Sequence, residues 1–143
     1  MAITSAVCNT FKTEVLRAIH NFTQGGNTFR LALYTSSANL SKTTTAYTTS
    51  AEVANGNGYT TKGAALTNVT PALSSDTAVC DFANISFTSA SFTANGCLIF
   101  NDTASGDPSV CAIAFGGDKT VTSGTFTIEF PAADASNAIL RIA

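Results

Sequence analysis

Near the start of the chain, apolar residues recur at helical spacing. Phe11, Val15, Ala18, Ile19 and Phe22 share one face with Cys8, while Lys12, Thr13, Arg17 and His20 lie mostly away from it. The pattern predicts one amphipathic helix from about Ser5 to Asn21, with Ser5 as its cap and Gly25-Gly26 closing the segment. After those glycines the period drops to two. Phe29, Leu31 and Leu33 alternate with Arg30, Ala32 and Tyr34, which reads as a strand with one face buried.

The same period continues through Gly63 to Val69, Thr77 to Phe87, Gly96 to Asn101, Val110 to Phe115, Thr125 to Phe130 and Ala138 to Ile142. Pro, Gly, Asn and Asp punctuate these segments. Within Val79 to Phe87 the apolar parity slips, from Cys80 and Phe82 to Ile85 and Phe87. Such a slip marks a bulge in a long strand or a corner between two sheets. The predicted fold is mainly β, an antiparallel β-sandwich of jelly-roll or Ig-like type carrying one N-terminal helix, in one domain over residues 1–143.

Residues 36–61 fit that scheme poorly, because Thr, Ser, Ala and Asn dominate and apolar positions are sparse. They read as a long loop excursion. Loops longer than about 15 residues are uncommon in compact domains and usually carry a function, so Tyr47, Glu52, Val53 and Tyr59 become candidate partner-binding residues. The alternative is that the excursion packs back on its own sheet. On the helix, the face around Leu16, with Arg17 and His20, is the second candidate contact surface.

Composition narrows the function. The 143 residues are 45% hydrophobic and only 11% charged, against about 25% charged in ordinary soluble domains. The formal charge is -2 and the seven basic residues are dispersed, so no stripe for phosphates and no cluster for an anionic membrane is present; neither nucleic acid nor membrane is expected as a partner. No basic start with a long apolar run precedes the helix, so neither signal peptide nor membrane anchor is expected. On that expectation the sequons at Asn21, Asn39, Asn68, Asn84 and Asn101 are products of an Asn-, Ser- and Thr-rich composition.

Chemistry is sparsely provided. A single histidine, His20, excludes multi-histidine metal sites and leaves little for activating a nucleophile; it reads as a partly exposed residue near the helix end. Nine scattered carboxylates nominate no acid-base pair by spacing. Asn101 to Asp107 has an oxygen-rich composition but lacks the regular acidic positions and closing Glu of a calcium loop, and reads as a turn. Gly56-Asn57-Gly58 and Gly116-Gly117-Asp118 also read as turns. Cys8, Cys80, Cys97 and Cys111 have no zinc or redox spacing; four cysteines allow three full pairings, and apolar neighbours favour buried free thiols. Neither enzyme activity nor a cofactor or metal is expected.

Longer stretches of sequence carry a resemblance. Phe11-Lys12-Thr13-Glu14-Val15-Leu16, His20-Asn21-Phe22 and the run Phe29 to Ala38 come first. Thr45-Ala46-Tyr47-Thr48, Glu52-Val53, Gly58-Tyr59-Thr60, Leu66-Thr67 and the ending Phe130 to Ile142 follow. Together they resemble a group of small virion proteins of tailed phages, notably phages of cyanobacteria and other aquatic bacteria. The likeness spans nearly the whole chain, although the four cysteines depart from the group's pattern. It implies a capsid decoration or cement protein on the outer surface of the virion, assembled in the host cytoplasm, with the major capsid protein and itself, as a homotrimer at local threefold positions, as partners. A tail or fibre component binding a host receptor is the alternative.

Overall fold

The structure is a computed structural model and describes residues 2–143. It is mainly β. In chain order the elements are β1 (Ala6–Val7), α1 (Asn9–Leu16), β2 (Phe29–Tyr34), β3 (Ala64–Ala65), β4 (Asn68–Ser74), β5 (Thr77–Phe82), β6 (Ile85–Asn101), β7 (Ser109–Ile128) and β8 (Leu140–Ile142). They form two antiparallel sheets, a five-stranded one in the order β1-β7-β6-β2-β3 and a three-stranded one in the order β4-β5-β8.

The helix is shorter than its apolar stripe. It ends at Leu16 because Ala18 adopts a left-handed φ of 61°, a conformation that costs a residue with a Cβ about 1 kcal/mol and stops the helical ladder. Ser5 does not cap it: Cys8 holds that position without a side-chain hydrogen bond to the first helical N–H groups, and the Ser5 hydroxyl instead accepts the Ala114 N–H at 2.9 Å. An eight-residue helix is too short to persist alone. Phe11 anchors it, packing edge-on to Phe22 at 5.9 Å, while Phe22 stacks flat on Phe29 at 4.3 Å.

The parity slip after Phe82 is a corner. β5 belongs to the small sheet, Ala83 and Asn84 break the ladder, and the chain enters the large sheet at Ile85. From there β6 and β7 form one long hairpin in which Ile85 pairs with Ile128 and Phe100 with Ser109. Gly116-Gly117-Asp118 is a bulge inside β7, not a turn: Ala94 pairs with Lys119 and Gly96 with Ala114, so β7 carries the extra residues. Positive φ at Gly116 and Gly117 permits it. The strands read as Val110 to Phe115 and Thr125 to Phe130 are therefore parts of one element, which stops before Phe130.

β2 departs most from its sequence pattern. Ala32 and Tyr34 are as inaccessible as Leu31 and Leu33, because the large sheet is covered on both faces. One face, with Phe29, Leu31, Leu33, Cys97 and Ile99, joins the core shared with α1 and with Cys80 and Phe82 of the small sheet. The other, with Ala32, Tyr34, Leu98, Phe100 and Ala112, is covered by Ile3, Ala38, Leu40 and Tyr47. The excursion thus packs back on its own sheet, which was one of the two readings the sequence allowed.

Candidate functional site

Glu52 lies where the excursion crosses the edge of the large sheet. Beside β2, the segment pairs Glu52 with Tyr34, and the Val53 N–H donates to the Leu33 carbonyl at 2.9 Å. Residues before Glu52 lie over one sheet face; Val53 and Tyr59 reach the core on the other. The Glu52 carboxylate holds the two sides together. It accepts the Tyr47 hydroxyl at 2.6 Å, the Tyr59 hydroxyl at 2.6 Å and the Lys62 N–H at 2.8 Å. The Tyr59 oxygen also accepts the buried Leu33 N–H at 3.0 Å. Burial first, then the hydrogen bond to Glu52, raises the phenol pKa of both Tyr59 and Tyr47.

Lys62 extends this cluster toward the hairpin loop. Its ammonium lies 2.9 Å from Asp102 and 2.7 Å from Asp107, and within 5.6 Å of the Tyr47 ring centre. Those two carboxylate hydrogen bonds hold the lysine pKa up. The oxygen-rich turn from Asn101 to Asp107 therefore already has a cation, and that cation is a side chain of the same protein. Arg30 completes the corner by donating to the carbonyls of Lys62 and Gly63 at 3.2 and 2.9 Å.

His20 is not a partly exposed helix residue. The reversal at Ala18 folds it back, so that it is 6% exposed, with Nε2 3.1 Å from Glu14 Oε1 and Nδ1 accepting from the Asn101 amide at 3.2 Å. Phe11 packs on its ring at 4.9 Å. The Asn101 amide also donates to Asn27 at 3.0 Å, and the Asn101 oxygen accepts the N–H groups of Thr103 and Ala104. This network ties the helix end to the hairpin loop. Two of the sequons, at Asn68 and Asn101, are buried.

Of the seven residues proposed as partner contacts, the structure turns three inward: His20, Val53 and Tyr59 are buried, because the excursion and the helix reversal use them as anchors. Tyr47 and Glu52 are half-buried, and Leu16 and Arg17 are exposed. Periodicity alone misplaces His20, since nothing in the residue pattern marks a left-handed alanine. Tyr47, Glu52 and Tyr59 were legible as distinctive side chains, but their mutual hydrogen bonds were not.

The four cysteines are free and buried. Burial pushes the thiols of Cys80 and Cys111 up to about 12 and raises Cys97 and Cys8 too, so none is an activated nucleophile. Among the described residues no group of three or more His, Cys, Asp and Glu side chains is placed to hold a metal ion, and no helix is long and apolar enough to cross a membrane.

Among the described residues, two open grooves stand out. One, of about 520 Å³, lies under the distal hairpin between Ile113, Phe115, Phe126 and Ile139, with Lys119 and Glu129 as its charged lining. The other, of about 730 Å³, lies between α1 and the small sheet and is lined by Phe11, Val15, Leu16, Ala78, Leu140 and Ile142, among others. Of its lining residues, Leu16 and Ile142 are 86% and 65% exposed, and Leu73, 74% exposed, pairs across the sheet with the lining residue Ala78. The chain matches no protein-family model, no curated protein and no solved structure.

Proposed function

We propose that this chain is a structural protein of a tailed-phage particle, which decorates the capsid and stabilises it by bridging major capsid protein subunits. The observation that carries the reading is where the molecule leaves polar and apolar groups. Its histidine and the Glu52 carboxylate are engaged in internal locks, whereas Leu16 and Ile142, two large aliphatic side chains that line one groove, stand in solvent. That distribution suits contact between proteins better than chemistry. A surface with few charges also loses little solvation energy when covered.

The likeness of the residue runs to small virion proteins supplies the location on the outer capsid surface, and the threefold positions of a coat favour a homotrimer. The two sheets, sharing one apolar core, are in this reading those of a β-sandwich of jelly-roll or Ig-like type. A receptor-binding tail component is supported less. Sugar recognition favours exposed aromatic rings, yet Tyr34 and Tyr59 are buried and Tyr47 is half-covered.

Particles assembled without the chain test the proposal. They should release their contents at a lower temperature than complete particles, and added purified chain should restore the difference. Equal thermal release with and without the chain would remove the cementing role.

A further inference from the structure

We propose that a second copy of this chain seats its β4–β5 turn in the groove between α1 and β8. The groove exists because the core face of the small sheet runs past what covers it. Across the sheet, Leu73 pairs with Ala78 and Ala78 with Ile142, so these three form a row on one face. Ala78 shares that face with Cys80 and Phe82, which are buried under the helix and large sheet. The core face therefore continues outward into an uncovered strip, and α1 closes only one wall of it with Phe11, Val15 and Leu16.

The charges give the occupant its sign. Lys12 and Arg141 line the groove, together with Ala143, and no Asp or Glu side chain does. The complement is present elsewhere on the same chain. The β4–β5 turn carries the 74% exposed Leu73 and, three residues on, the exposed carboxylate of Asp76, with Ser75 at a φ of 56° shaping the bend. Leu73 cannot enter its own groove, because it is fixed in the same sheet as the groove wall. An apolar knob with an anion and an apolar hole with cations, both on one molecule and unable to meet within it, fit each other between copies. A groove of about 730 Å³ has room for the turn as well as for one leucine side chain.

This contact is a property of the isolated chain and does not rest on the virion reading. Sedimentation equilibrium of the purified full chain, from micromolar to several hundred micromolar, tests it. The expected mass at the upper concentrations is that of two or more copies of the chain. Leu73→Asp and Lys12→Glu should each weaken association at least about tenfold, with an unchanged circular dichroism spectrum. Asp76→Lys should weaken it similarly, and combining Asp76→Lys with Lys12→Glu should recover most of the loss, an outcome that folding defects cannot imitate. A monomer at every concentration overturns the proposal, and so does an oligomer indifferent to Leu73→Asp and to the charge exchange. A monomeric chain that loses particle binding on Leu16→Asp also overturns it, and assigns the groove to the coat while leaving the decorating role intact.

Discussion

Replacing Glu52 by alanine removes the link that holds the excursion across the sheet edge. Three hydrogen bonds to one carboxylate are lost, from Tyr47, Tyr59 and the Lys62 N–H. Hydrogen bonds to charged groups contribute about 1.5–3 kcal/mol each, and water reaching the half-buried site offsets part of the loss, so we expect a destabilisation of about 3–5 kcal/mol. Glu52→Gln keeps the volume. Its amide oxygen can still accept from Tyr59 and Lys62, leaving its nitrogen facing Tyr47, and the expected cost falls to about 1–2 kcal/mol. Tyr59→Phe should cost more than Tyr47→Phe, because it also strips the buried Leu33 N–H of its acceptor. Urea unfolding gives these values, with the midpoint shifting while the slope stays constant.

The pH dependence follows from the same contacts. Burial and Glu52 raise the folded pKa of Tyr47 and Tyr59, and burial with the Glu52 charge raises that of Tyr34. Stability from these groups is therefore complete below the ordinary tyrosine value of about 10 and is lost as pH climbs toward the raised folded values. Tyrosinate absorbance should appear together with unfolding and not before it. A Glu52→Ala protein within about 0.5 kcal/mol of the parent, or a greater cost for Tyr47→Phe than for Tyr59→Phe, would refute this assignment.

Asp81 is 3% exposed; Oδ1 accepts the Phe82 N–H while Oδ2 has no partner, and burial raises its pKa against that hydrogen bond. The carboxyl favours the folded state in acid and the advantage is lost as pH rises through the folded value, so Asp81→Asn should add about 1–3 kcal/mol at neutral pH and little in acid, as measured by urea midpoints at both. The four thiols should resist an aromatic disulfide reagent in the native protein and all react once it is unfolded; rapid native labelling of Cys97 or Cys111 would contradict their burial. Gly63→Ala should abolish or severely weaken folding, because at a φ of 68° its Cβ would fall 1.8 Å from the Leu31 carbonyl oxygen. Gly116→Ala, with open space around it, should cost only about 1 kcal/mol by thermal melting.

Where alternation in the sequence mapped onto one covered face, it was informative. Phe126 and Ile128 against Thr125 and Thr127 lie as their pattern requires, and the slip after Phe82 marks the passage between sheets. Alternation was a poor guide to β2, whose second face is covered by Ile3 and by Ala38, Leu40 and Tyr47 of the segment that folds back over it, which no period within the strand registers. Gly116-Gly117 carried the signal of a turn, but a bulge uses the same positive φ, and only the pairing of Ala94 with Lys119 separates the two. The helix overran because a stripe of apolar residues continues after the backbone has turned; Phe22 reaches the core from a different direction.

The candidate site was legible in part for a related reason. Tyr47, Glu52 and Tyr59 stand out in a Thr- and Ser-rich stretch, yet side-chain identity cannot say whether a residue points to a partner or to its own sheet. Tertiary packing decided that, placing Tyr59 and Val53 inside. Leu16 was legible as a surface residue, but Ile142 was hidden within a predicted strand and Leu73 fell between two, in a segment that the structure makes part of β4; the exposure of both depends on how far the neighbouring layer extends.

A cryo-EM map of the intact particle carrying this chain addresses the decorating role most directly. The reading predicts repeated knobs across the outer shell into which the two-sheet fold fits, each touching more than one coat subunit. Density for the fold confined to the tail, with a bare shell, would contradict it.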